Sequence, residues 1–216
     1  KTLAVVASAL AVALVQGGSP TCPPTNADAW HEATADAFPV DAAATAGNPF
    51  KGFATNPAWH RGAHRTDLPS SLEFHYLPLA AVMDGPTSFT FDAGLEPALI
   101  ASASRNNHAV LRFWVDFPNQ REVGVPQCLV DDGLQFHEFT EHGGGSSPDY
   151  RDSRLVDAFV AFATALGAAY DGDERIAVVQ IGLVGFWGEW YTHTFPDMLW
   201  MPSIADQNRI ISAFDS

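Results

Sequence analysis

The chain has 216 residues, 47% of them hydrophobic, enough for one sizeable core and too few for two large domains. Its 25 Asp and Glu residues outnumber 11 Lys and Arg, for a formal charge of -14. A surface so negative repels phosphate backbones and anionic lipid, so nucleic acid and membrane surfaces are poor partners.

Residues 1–18 read as a signal peptide. Lys1 gives a positive start, residues 3–15 are a run of Ala, Val and Leu, and Gln16-Gly-Gly-Ser19 supplies small residues for cleavage. The run is shorter than the roughly 20 residues a bilayer span needs. Export and a secreted or extracellular location are the expectation; a buried Ala/Val-rich helix is the structural alternative. Residues 19–47, rich in Pro, Thr, Asp and Ala, read as a linker or lead-in with one short helix around 27–37.

From Asn48 the chain alternates apolar runs, turns and amphipathic runs. Asn48-Pro-Phe-Lys-Gly-Phe-Ala54 leads into a short strand, and residues 71–79 form a second, rich in β-favouring aromatics. Asp92 is placed to N-cap a helix running to about Asn107. Residues 109–117 are a third strand. An excursion over 118–152 follows, and a connection of that length in a compact domain usually carries function. Apolar positions at Leu155, Val156, Phe159, Val160, Phe162, Ala163 and Leu166 make residues 153–170 a helix. Strand four is expected over 176–187, and 202–214 opens another helix. Buried strands alternating with amphipathic helices predict parallel βα units in an α/β fold.

The segment Val178-Val-Gln-Ile-Gly-Leu-Val-Gly-Phe-Trp-Gly-Glu-Trp190 concentrates the chemistry. A doubly buried strand reads as a continuous apolar run, and an acid at its end stands where α/β folds do their chemistry. Trp187 and Trp190 flank Glu189, able to desolvate its carboxyl and raise its pKa, or to stack on a ring-shaped ligand. A purely structural ion pair with Arg112 is the alternative, and it would depress that pKa. Arg112, Trp114 and Asp116 alternate along strand three and share a face: a charged donor, a stacking plane and an acceptor for a ligand, or else a buried ion pair and a core tryptophan. Glu73 and His75 share a face of strand two, where His75 is placed to donate to a ligand hydroxyl or to sit satisfied in the core. Trp59, Tyr191 and His193 are further rim candidates.

His137-Glu-Phe-Thr-Glu-His142 fails as a zinc helix because its histidines are five apart and point to different sides. His142-Gly-Gly-Gly145 lacks any accompanying Gly-x-Ser-x-Gly nucleophile elbow. With no phosphate loop or dinucleotide fingerprint either, no cofactor and no metal is expected. Cys22 and Cys128 would form a bridge in an exported chain, or remain two free thiols.

The run 72–79, then Gly85, Phe89-Thr-Phe-Asp92, a helix and Val110-Leu-Arg112 resemble the second and third βα steps of β-galactosidase-like (clan A) glycoside hydrolases. Residues 48–59, Tyr170-Asp-Gly-Asp173 and Gly185-Phe-Trp-Gly-Glu-Trp190 look more specifically like a poorly characterised set of exported, glycosidase-like barrel proteins. The resemblance covers about three quarters of the chain and implies a (β/α)8 TIM-barrel-like fold over 48–216, truncated to about its first four βα units. It implies a carbohydrate ligand, Glu189 as general acid/base at the end of strand four, and Arg112, Asp116, His75, Trp187 and Trp190 around the sugar. Two departures stand out. The clan usually has Asn before that glutamate, where this chain has Gly188. Its nucleophile lies on a seventh strand, beyond Ser216, and a full barrel takes roughly 250 residues. A non-catalytic carbohydrate-binding or surface protein, or an inactive fragment, is the alternative.

Overall fold

The computed structural model describes residues 5–6, 53–57, 70–119, 124–192 and 199–215. At its centre is a parallel sheet built from β1 (Val5–Val6), β2 (Phe53–Thr55), β3 (Ser70–Pro78), β6 (His108–Trp114) and β9 (Ile176–Gln180), in the order β1-β9-β6-β3-β2. From β2 to β9 the strands lie side by side in chain order, every pair parallel. Two small antiparallel hairpins decorate the sheet: β4 (Met83–Gly85) with β5 (Ser88–Phe89), and β7 (Phe136–Phe139) with β8 (Gly145–Pro148). The helices are α1 (Phe91–Gly94), α2 (Glu96–Ser104), α3 (Gln127–Asp131), α4 (Ser153–Tyr170) and α5 (Ile204–Ala213). The fold is thus α/β with a parallel sheet. The proposed linker at 19–47 lies outside the described residues, as does the signal segment apart from Val5–Val6, which pair parallel with β9.

Helix α4 spans the residues its apolar period predicts. Asp152 caps it by accepting the Arg154 amide at 2.9 Å, and Leu155, Val156, Phe159, Phe162 and Leu166 are buried on one stripe. That stripe packs on the odd-numbered residues of β6, Ala109, Leu111 and Phe113, and Leu99 of α2 joins the same core. Phe113 and Phe162 meet edge-on with ring centroids 4.7 Å apart. The even-numbered Val110, Arg112 and Trp114 therefore face away from the helices.

Two expected elements differ. The helix expected over 92–107 is broken after Gly94 and restarts at Glu96, with Thr90 rather than Asp92 before its first turn. Pro97 explains the break, because it has no N–H to continue the ladder and is tolerated only in a first turn. Strand four stops at Gln180, seven residues short of Trp187. Leu183 takes a left-handed backbone, φ 70°, which no strand accommodates.

Candidate functional site at the strand ends

Because β3, β6 and β9 are parallel, their C-terminal ends share one edge of the sheet. In-register neighbours point the same way, and the register aligns Tyr76, Arg112 and Gln180 across three strands. Arg112 ties this row together. Its Nε donates to Gln180 Oε1 at 2.6 Å and its Nη1 to the Tyr76 hydroxyl at 2.9 Å. The guanidinium also lies 5.4 Å from the Tyr76 ring centroid and 5.7 Å from that of Phe74, within cation–π range. The same Nη1 reaches Glu189 Oε1 at 3.3 Å.

Glu189 stands on a loop, nine residues beyond the last residue of β9, rather than on the strand itself. Its side chain is 46% exposed beside the Arg112 guanidinium. Leu183, Gly185, Trp187, Gly188 and Trp190 all adopt positive φ, so the chain coils tightly over the sheet edge. Three of these five are not glycine, and such strain persists only where surrounding contacts enforce it. The contacts are visible: the Trp187 amide donates to the Asp116 carbonyl at 2.9 Å, and Tyr76 donates its hydroxyl to the Trp187 carbonyl at 2.6 Å. Gly185 is obligatory, since a Cβ there would lie 2.3 Å from the Tyr191 carbonyl oxygen.

The two tryptophans diverge. Trp187 joins an aromatic group with Phe117, His142 and Tyr191, its ring 5.0 Å from that of His142. Trp190 turns inward, against the core, and its Nε1 donates to the Ile181 and Gly182 carbonyls at 3.0 and 3.1 Å. It therefore anchors the loop, and the expected pair of indoles around Glu189 is reduced to one candidate, Trp187.

Asp116 lies two residues beyond β6 and bridges to Phe186. It is only 2% exposed, sealed under the β7–β8 hairpin, and its Oδ2 accepts the Ser147 hydroxyl. A residue so covered does not reach a ligand directly. Burial pushes its carboxyl up to about 7, the Ser147 hydrogen bond offsetting only part of the effect.

His75 lies on the helical face of the sheet, away from Arg112 and Glu189. It shares the parity of Leu77 and Leu79, which face the helical layer, and its Nε2 lies 2.7 Å from Ser102 Oγ on α2. Glu73 beside it is fully buried. Desolvation would raise its pKa, but hydrogen bonds from Arg105, Asn107 and Ser102 outweigh that and hold it at about 2. These four polar side chains form a structural clamp between β3 and α2.

The long excursion covers the sheet edge. Phe139 of β7 packs on Phe186 at 4.4 Å between centroids, and the Tyr150 hydroxyl donates to the Gly185 carbonyl at 3.4 Å. His137 belongs to β7, stacked on Trp200 at 4.3 Å and hydrogen-bonded to Asp149, and no zinc-type helix forms around it. Among the described residues, no group of His, Cys, Asp or Glu is arranged to hold a metal. A shallow depression of about 210 Å³ lies elsewhere, among Gln135, Asp149, Arg151 and Asp152, its acids already paired with arginines. Cys128 is a half-buried free thiol on α3, which lends the bridge to Cys22 no support; Cys22, Trp59 and His193 lie outside the described residues.

The site residues missed in sequence are Tyr76, Gln180 and Ser147. Tyr76 was findable: once Leu77 and Leu79 are assigned to the core, alternation puts Tyr76 on Arg112's face. No described helix is long and apolar enough to cross a membrane. Compared with protein-family models and with curated proteins, the chain matches none of them.

Proposed function

We propose that this chain forms part of a (β/α)8-type barrel of the glycoside hydrolase kind, exported from the cell, with Glu189 as general acid/base on a carbohydrate. The observation that carries this reading is the position of Glu189: its carboxyl stands half-exposed at the C-terminal edge of parallel strands, where such barrels place their catalytic groups. The sequential order of β2, β3, β6 and β9, and helices α2 and α4 packed on one face, support a barrel over a doubly wound sheet, in which helices cover both faces.

In this mechanism Glu189 delivers a proton to the glycosidic oxygen as the bond to the leaving group breaks. Arg112, fixed by Tyr76 and Gln180, orients the carboxyl. Trp187 offers a ring face to the sugar, and the second carboxylate comes from another strand end of the complete barrel. Hydrolysis of a panel of aryl glycosides by the full-length protein and by Glu189→Gln tests the reading. Loss of turnover in the variant is expected; equal turnover removes Glu189 from the mechanism.

A carbohydrate-binding protein without catalysis is the second reading, and Gly188 favours it. Its φ of 66° and a Cβ position 3.0 Å from the Phe113 carbonyl oxygen leave no side chain beside Glu189 to grip a sugar hydroxyl. Carbohydrate binding by both proteins with turnover by neither would select this reading.

A further inference from the structure

We propose that Asp116 is a positioning residue: as a neutral acid it locks the Glu189 loop and the β7–β8 hairpin onto the end of β6, and its ionisation releases them. The importance for chemistry rests on the role proposed for Glu189; the lock itself does not.

Three segments converge on this carboxyl. Asp116 continues β6, its backbone carbonyl accepts the Trp187 amide at 2.9 Å, and it bridges to Phe186. Its side chain takes the hydroxyl of Ser147, a fully buried residue of β8. Three residues on, the buried Tyr150 donates to the Gly185 carbonyl at 3.4 Å. Strand end, hairpin and loop are thus joined through one polar cluster with almost no access to water.

Among the described residues, no positive charge compensates it. From the hairpin side the facing groups are the Ser147 hydroxyl and the Tyr150 phenol; from the loop side they are Tyr191 and, farther out, Glu189. His142 packs on the rings of Phe186, Trp187 and Tyr191. Arg112, on the same strand, is engaged by Tyr76, Gln180 and Glu189. Among the described residues, no Lys, Arg or His forms an ion pair with Asp116. A carboxylate buried without a cation is costly, so the group keeps its proton, in line with a carboxyl pushed up to about 7. Ionisation puts an uncompensated charge between two packed segments, and the cheapest relief is to admit water by parting them.

The test is backbone amide exchange in the full-length protein, expressed as protection factors for 183–190 and 136–148 from about pH 5 to about pH 9. In the wild type, protection of both segments is expected to fall by up to about tenfold per pH unit as pH rises toward the Asp116 midpoint of about 7, and to level off above it. Asp116→Asn mimics the neutral acid and is expected to stay flat at the low-pH level. Ser147→Ala is expected to lower protection of both segments at low pH. A carboxyl ¹³C titration of the wild type, with the resonance assigned through its bonded Cβ, supplies a readout independent of any variant's folding. An Asp116 midpoint near that of a free aspartate, a flat wild-type profile, or an unchanged slope in Asp116→Asn would each overturn the proposal. Where turnover is measurable, Asp116→Asn extends the alkaline limb of kcat with KM little changed. Absence of turnover together with the expected exchange behaviour would refute the glycosidase reading and leave the lock standing.

Discussion

Arg112 and Glu189, 77 positions apart in sequence, share a hydrogen bond of 3.3 Å from Nη1 to Oε1 at the edge of the sheet. The pair is asymmetric: the Arg112 side chain is mostly buried among Tyr76, Gln180 and Phe74, while the carboxyl faces solvent. One partner is scaffold and the other is presented by it.

Glu189→Gln is accordingly expected to be almost neutral for stability. An exposed ion pair contributes at most about 1 kcal/mol, and Gln retains an acceptor for Arg112. Urea denaturation of both proteins checks this. Arg112→Ala, which also forfeits the bonds to Tyr76 and Gln180, is expected to destabilise by about 2 kcal/mol.

Glu73 and Asp116 are expected to shape stability against pH in opposite senses. The Glu73 carboxyl is held at about 2 when folded, below its unfolded value of about 4.3, so its contribution is present above that value and disappears as pH falls toward 2. Asp116 is raised to about 7, so its contribution is full below about 4 and is lost as pH rises to 7. That loss is at most about 4 kcal/mol. Denaturation midpoints for Glu73→Gln and Asp116→Asn should each flatten one limb, the acid limb for the first and the neutral limb for the second.

Removing Glu73 altogether is a harsher change. Glu73→Ala leaves Arg105, Asn107 and the Ser102 hydroxyl facing a hole, and a broken buried pair costs about 3 kcal/mol or more. Thermal unfolding at neutral pH should show the drop, with Glu73→Gln retaining part of the stability.

Phe162→Ala opens the interface between α4 and the sheet, where the ring meets Phe113 and Phe91. A cost of about 4 kcal/mol is expected, read from the urea midpoint.

Much of the architecture was legible in the order of residues, because periodicity reports burial. The apolar stripe of α4 and the runs that became β3 and β6 were bounded to within a few residues on that ground. Residues 181–186 are buried without being a strand. Ile181, Leu183, Val184 and Phe186 are buried as a strand's residues would be, yet they lie in a coiled loop pressed beneath the hairpin. Apolar composition cannot separate these two kinds of burial. Parity misled in a similar way at His75, since alternation says which residues share a face but not which face meets the helices. Trp190 was drawn toward the site by adjacency in sequence; the left-handed backbone at 187 and 190 sends the two indoles apart.

The run of left-handed residues also limits how this site can diversify. Leu183, Trp187 and Trp190 occupy a conformation that β-branched side chains resist, and Gly185 has no room for any side chain. Variation between Leu183 and Trp190 is thereby channelled to Val184, Phe186 and Glu189, of which only Glu189 opens to water. A new ligand preference would have to be written on the hairpin that roofs the loop, around His142 and its neighbours, while the loop itself stays nearly invariant.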